Sequence, residues 1–111
     1  MQVLDVGIEF APSLTNRDDH QRDGRHSGVE FRERYLKDLE NENNWPGDAP
    51  FIALDFSHVK RLGPSWSNEV FAYFTKFANP EEILRQIKLV NISRVKESII
   101  RKEIETGYSR K

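Results

Sequence analysis

Asp55, His58 and Ser65 lie close together in the chain and are the residue types of an orienting acid, a base and a nucleophile. His58 falls in a turn just after an apolar run, however, and nothing nearby supplies an evident oxyanion hole, so a hydrolase is the weakest reading these residues allow. A second set is cationic. Arg22, Arg25 and Arg32, together with helix starts near Ser27 and Ser65, could converge on a small anion or a nucleotide phosphate. Neither GxGxxG nor GxxxxGKS/T is present to cradle one. His20 and His26 stand among Asp18, Asp19 and Asp23, but no helical or hairpin spacing gathers them as metal ligands. No metal or other cofactor is therefore expected.

The element that must position Ser65 spans Phe51 to Phe77. Phe51-Ile52-Ala53-Leu54 is long enough for a buried strand, and Asp55 closes it where the strand should surface. Ser57 to Gly63 turns, and Pro64-Ser65 opens a block in which Val70, Phe71, Phe74 and Phe77 share one helical face. The first turn of that helix carries unpaired N–H groups and the positive end of the dipole, which favour an anion bound there or attached to a side chain. Gly63, Ser65 and Ser67 are each candidates for the cap, and a capping hydroxyl is the simplest account of Ser65 taken alone.

Composition bounds the possibilities. The 111 residues suffice for one modest core, and the chain reads as a single domain over 1–111. Apolar residues at 37 % and charged residues at 32 % describe a polar surface around that core. A net charge of -1 argues against nonspecific nucleic-acid binding. The absence of cysteine excludes disulfides and thiolate metal sites and accords with a cytoplasmic setting. No stretch has the length of a membrane span, and the first residues lack the pattern of a signal peptide.

The remaining segments fill in an alternating order. Leu4, Val6, Ile8 and Phe10 alternate with polar residues and predict a half-buried strand over residues 2–10. Residues 11–26, nearly free of apolar side chains after Leu14, predict an exposed charged loop. Ser27 and Glu30 match a capping box, and Phe31, Tyr35 and Leu39 predict an amphipathic helix ending near Glu40 to Asn44. Arg32 in its early turns opposes the helix dipole, which hints at another task. Trp45 and Trp66 read as core or rim packing, although an exposed Trp66 would mark an interface. Residues 85–91 predict a strand, with a helical turn over 80–84 leading into it. Ser93 caps a last helix with Val95, Ile99, Ile100 and Ile104 inward, Glu97 and Arg101 paired, and Gly107 as its stop. Residues 108–111 read as a frayed tail. The order predicts an α/β domain with a three- to four-stranded mixed sheet packed by about three helices. A further strand could hide in the loop or come from a partner.

The stretch LDFSHVKRLGPSWSNEVF resembles the core of STAS domains, the fold of the bacterial anti-sigma-factor antagonists. A closer resemblance is to the STAS-like family of unknown function. It is carried by Ser27, Gly28, Phe31 and Arg32, then Asp55, then Ser65, Trp66, Glu69 and Phe71, across nearly the whole chain. Antagonists place Asp-Ser-Ser-Gly where this chain has Gly63-Pro64-Ser65-Trp66, so the acidic residue and the glycine are missing. The resemblance implies a small STAS-like domain acting as a non-enzymatic regulatory module. It implies a protein partner of the histidine-kinase-like ATPase type, Ser65 as phospho-acceptor, and Asp55, Trp66 and Glu69 on the contact surface. The alternative from the residues is the anion site of Ser27, Arg22, Arg25 and Arg32.

Overall fold

The apolar positions of the first stretch split between two elements. The computed structural model describes residues 1–17 and 26–110. In it strand β1 covers Gln2–Asp5 and helix α1 follows at once over Val6–Glu9. The expected strand stops at Asp5 because Oδ1 of Asp5 caps the helix, accepting from Ile8 N at 3.1 Å. Val6 and Phe10 fit an alternation, but four residues apart they also share a helix face. Both are buried, whereas Ile8 is 66 % exposed.

Residues 11–17 are less exposed than the composition of the predicted loop suggests. Ala11 and Leu14 are buried, and β2 (Ser13–Leu14) pairs in parallel with β4 (Arg61–Leu62). A strand does hide in the loop, although it forms a separate two-stranded ladder. Arg22, Arg25 and His20 lie outside the described residues.

Helix α2 (Gly28–Tyr35) is capped by Ser27, whose Oγ accepts from Glu30 N at 3.1 Å. It ends at Tyr35, earlier than expected, and 3-10 turns over Lys37–Leu39 and Glu42–Asn44 carry the chain on. The buried Trp45 packs on Phe74 and donates its Nε1 hydrogen to Leu39 O. Then come β3 (Ile52–Asp55), β4, α3 (Pro64–Phe71), a 3-10 turn over Ala72–Lys76, α4 (Pro80–Gln86), β5 (Ile87–Val90) and α5 (Arg94–Ser109). Asn79 and Glu82 close a reciprocal capping box on α4. The expected turn over 80–84 is thus a full helix, and the strand after it is shorter than predicted.

The sheet has the order β1-β3-β5 and is parallel throughout, with Leu4, Leu54 and Leu89 in register. The α/β reading therefore holds in part. Among the described residues the ladders are all parallel rather than mixed, and five α-helices stand where about three were expected. Parallel pairing follows from the helical crossovers that separate the strands. In α5 the Ser93 cap and the Glu97–Arg101 pair form as expected, but Gly107 lies inside the helix and Val95 is 72 % exposed. The core is built from Ile52, Leu54 and Ile87 of the sheet, Phe31 of α2, Trp66, Val70 and Phe71 of α3, and Ile100 and Ile104 of α5.

One glycine is required by close approach. A Cβ on Gly7 would stand 2.2 Å from the carbonyl oxygen of His58, so α1 seats against the turn after β3 only without a side chain. Gly7→Ala is expected to lower stability by about 1–3 kcal/mol, the usual cost of overpacking. Denaturant titration checks this, and an unchanged midpoint would show that the turn moves freely.

Candidate functional site

Helix α2 presents Arg32 inward, toward α3. Its guanidinium is buried, and two carboxylates converge on it: Nη2 lies 2.9 Å from Glu69 Oε2 of α3, and Nη1 lies 2.9 Å from Glu40 Oε1. Its Cζ stands 3.8 Å from the centroid of the Tyr73 ring, which Lys76 Nζ also approaches at 3.8 Å. Arg32 is thus the ion-pair partner of Glu69. Arg32, set against the dipole of its helix, has the other task that this placement hinted at. Only an arginine offers a planar fork able to hold two carboxylates while stacking on an aromatic ring.

Helix α2 lies close to α3 because Gly28 has no side chain. A Cβ there would come within 2.9 Å of Glu69 Cβ. Phe31 and Trp66 meet at the same junction with ring centroids 5.1 Å apart. Trp66 is fully buried and cannot serve as a contact surface, which corrects its assignment as a partner-binding residue. Its place at the third position of α3 turns it toward α2 and the core.

The start of α3 settles what Ser65 does not do. Gly63 is the N-cap, Pro64 takes the first helical position, and no side chain caps the helix. Ser67 is buried, with Oγ donating to Gly63 O at 2.9 Å. Ser65 stands partly exposed one residue beyond Pro64 and is not the capping hydroxyl. Beside it in the next turn, Asn68 accepts from Arg17 Nη1 at 2.9 Å and donates to Glu103 Oε1 of α5 at 3.3 Å. Strand β2 anchors the entry to the helix, since Gly63 N donates to Leu14 O at 2.9 Å.

The other expected constellations are not assembled as read. Ser27 is buried and spent on capping α2, and Arg32 is neutralised by its two carboxylates, so neither belongs to an open anion site. His58 pairs with Asp5 rather than Asp55, its Nδ1 lying 2.8 Å from Asp5 Oδ2. Asp55 instead accepts from Ser57 N at 2.8 Å and from Asn91 Nδ2 at 3.2 Å, pinning the chain after β3 to the chain after β5. No cluster of potential metal ligands occurs among the described residues. Glu40, Tyr73, Asn68 and Asp5 are the participants that sequence reasoning missed. The signal for Glu40 was its position two helical turns beyond Arg32, although the chain reaches it through a 3-10 turn.

Residues 27–97, from the cap of α2 into α5, match the family model described as STAS-like domain of unknown function (DUF4325). The chain belongs to this family. No curated protein and no solved structure matched it. In this STAS-like domain the matched region contains every member of the Arg32 cluster and the start of α3. No described helix is long and apolar enough to cross a membrane.

Truncating Arg32 would leave two carboxylates in a largely buried place. Arg32→Ala is expected to cost about 3–5 kcal/mol, whereas replacing Arg32, Glu40 and Glu69 together by apolar residues of similar size should cost far less. Urea titration of both variants checks this, and a loss below about 1 kcal/mol for Arg32→Ala would mean the pair is solvated. Asp55 gives a pH signature. Its carboxyl is held below the ordinary range, first by the Ser57 N–H, then by the Ser57 hydroxyl, with Asn91 and His58 adding less. A depressed folded pKa contributes stability above the unfolded value that is lost as pH falls through the folded one. The stability difference between the wild type and Asp55→Asn should therefore shrink below about pH 4. Unfolding midpoints along an acid series measure it, and parallel curves would contradict the assignment.

Proposed function

We propose that this STAS-like domain is a non-enzymatic regulatory module that binds a protein partner through the start of α3 and is switched by a phosphoryl group on Ser65. The observation that carries the reading is the bare helix start: a glycine cap, a proline in the first position and a partly exposed serine in the second. A phosphoryl group on Ser65 would bring two negative charges to unpaired N–H groups and the positive dipole end. The helix gains from that charge, so the switch acts on the partner, by repelling or desolvating its surface. The face is formed by Pro64, Ser65 and Asn68, with Glu69 behind it. Trp66 contributes only by holding the helix from within. A histidine-kinase-like ATPase is the partner class that fits the family resemblance and a serine switch.

A nucleotide fits this surface poorly. The hollow lined by Asn68, Glu69, Tyr73 and Thr75 holds about 250 Å³, less than small-molecule sites usually offer. A larger hollow of about 600 Å³ lies at the other end of the strands, by Lys37, Asn41, Phe51 and Gln86. It is away from Ser65 and from the carboxyl ends where α/β folds take ligands.

Ser65→Asp is expected to stabilise the domain by about 0.3–1 kcal/mol and Ser65→Ala to leave it nearly unchanged. Partner affinity should differ between these two variants, read by titrating the ATPase that co-purifies with the wild-type protein. Equal affinity for both would end the switch proposal while leaving the interaction surface to stand.

A further inference from the structure

At the carboxyl end of the sheet, three elements hold one imidazole in place. His58 Nδ1 lies 2.8 Å from Asp5 Oδ2, and a carboxylate oxygen only accepts, so Nδ1 carries the hydrogen. In the neutral ring this leaves the lone pair on Nε2, which no described residue bonds. The side chain is 56 % exposed. Asp5 is itself fixed, because its other oxygen caps α1. The backbone of the turn is fixed too. Ser57 N donates to Asp55, Val59 N donates to Phe56 O at 3.0 Å, and Gly7 of α1 sits against the His58 carbonyl. Ser57 Oγ, 3.4 Å from Nδ1, is too long and too poorly placed to draw on Nε2.

An imidazole with Nδ1–H tied to a carboxylate and Nε2 facing water is arranged as a nucleophile. The carboxylate sets the tautomer, restrains the ring and stabilises the charge the ring gains when Nε2 forms a bond. The carboxyl ends of parallel strands are where α/β folds present reacting groups. The two nearby acids are already engaged, Asp5 by His58 and Ile8 N, Asp55 by Ser57 N and Asn91, while the cationic Lys60 and Arg61 follow as the chain enters β4. We infer that His58 is a phosphoryl-acceptor site, modified at Nε2 by small donors with a labile phosphorus–nitrogen or acyl-phosphate bond. The Nε2 lone pair attacks phosphorus and a nitrogen–phosphorus bond forms. The bond to the leaving group breaks with its electron pair, which departs as ammonia from phosphoramidate or as carboxylate from an acyl phosphate. The Nδ1 hydrogen stays on the ring, facing Asp5. This acceptor role is independent of Ser65.

The full chain is incubated with phosphoramidate at neutral pH, and the phosphorylation rate of each histidine is followed by mass spectrometry under conditions that preserve phosphohistidine. His20 and His26 are internal references. His58 should react about tenfold faster than either, equivalent to about 1.4 kcal/mol in the barrier. The advantage should vanish in denaturant and in Asp5→Asn, whose amide oxygen still caps α1. Equal rates in the folded protein, or an advantage that survives denaturant or Asp5→Asn, would overturn the proposal. Nitrogen chemical shifts of His58 provide a check that needs no variant: hydrogen on Nδ1 is expected, and hydrogen on Nε2 would refute the arrangement.

Discussion

Much of this structure depends on one buried cation. The Arg32 guanidinium is removed from water between Glu40 and Glu69 and laid against Tyr73. Desolvating three charges is expensive, and the attraction among them repays it only where the geometry is close. The repayment is incomplete: Arg32 Nε and Glu40 Oε2 are buried with no hydrogen-bond partner among the described residues. Such a cluster contributes more to specificity than to net stability, since an apolar filling of the same space would do as well energetically. What it specifies is orientation. Hydrophobic contact between Phe31 and Trp66 would tolerate a sliding of α2 along α3, but a fork with a carboxylate on each prong does not.

The consequence runs outward to the start of α3. That helix is short, and its first turn lacks a side-chain cap, so on its own it would fray. It is held from several directions instead. Glu69 ties it to α2, Asn68 ties it to Arg17 and Glu103, and Gly63 ties its entry to β2. The bareness of the helix start is therefore tolerated because the neighbours supply the stability a cap would have given. A surface so fixed can present a serine in one geometry without spending the serine on the fold.

Where local chemistry decides an element, the sequence was legible. Ser27 and Ser93 lie before apolar helical patterns, and the helices begin there. Phe51 to Leu54 reads as a buried strand because parallel strands are continuous apolar runs, and the strand found covers Ile52–Asp55. The misreadings share a cause. Val6 and Phe10 satisfy both a period of two and a separation of four, and only the Asp5 cap, a contact with Ile8 N, chooses between them. Trp66 follows a serine at a helix start, where sequence shows no face, and its burial depends on the glycine at position 28 of another helix. Glu40 was marked only by its spacing from Arg32, and both it and Tyr73 reach the cluster through 3-10 turns, which blur a helical period.

The carboxyl end of the sheet obeys a different constraint. Asp5 and Asp55 are register partners on adjacent parallel strands, so two like charges stand side by side about one strand spacing apart. Left unscreened they would oppose the pairing of β1 with β3. Each is met by one donor from the chain just after it and one from the chain after the neighbouring strand: Ile8 N and His58 for Asp5, Ser57 N and Asn91 for Asp55. The need to satisfy these carboxylates shapes the turns beyond both strands. It also accounts for Gly7, because α1 must approach the His58 turn closely for Asp5 to reach both partners. The orientation of His58 is thus a by-product of a sheet requirement. A ring locked by the fold and open at its outer nitrogen costs the protein nothing further to keep, and on such a ring an acceptor function can be placed without disturbing the core.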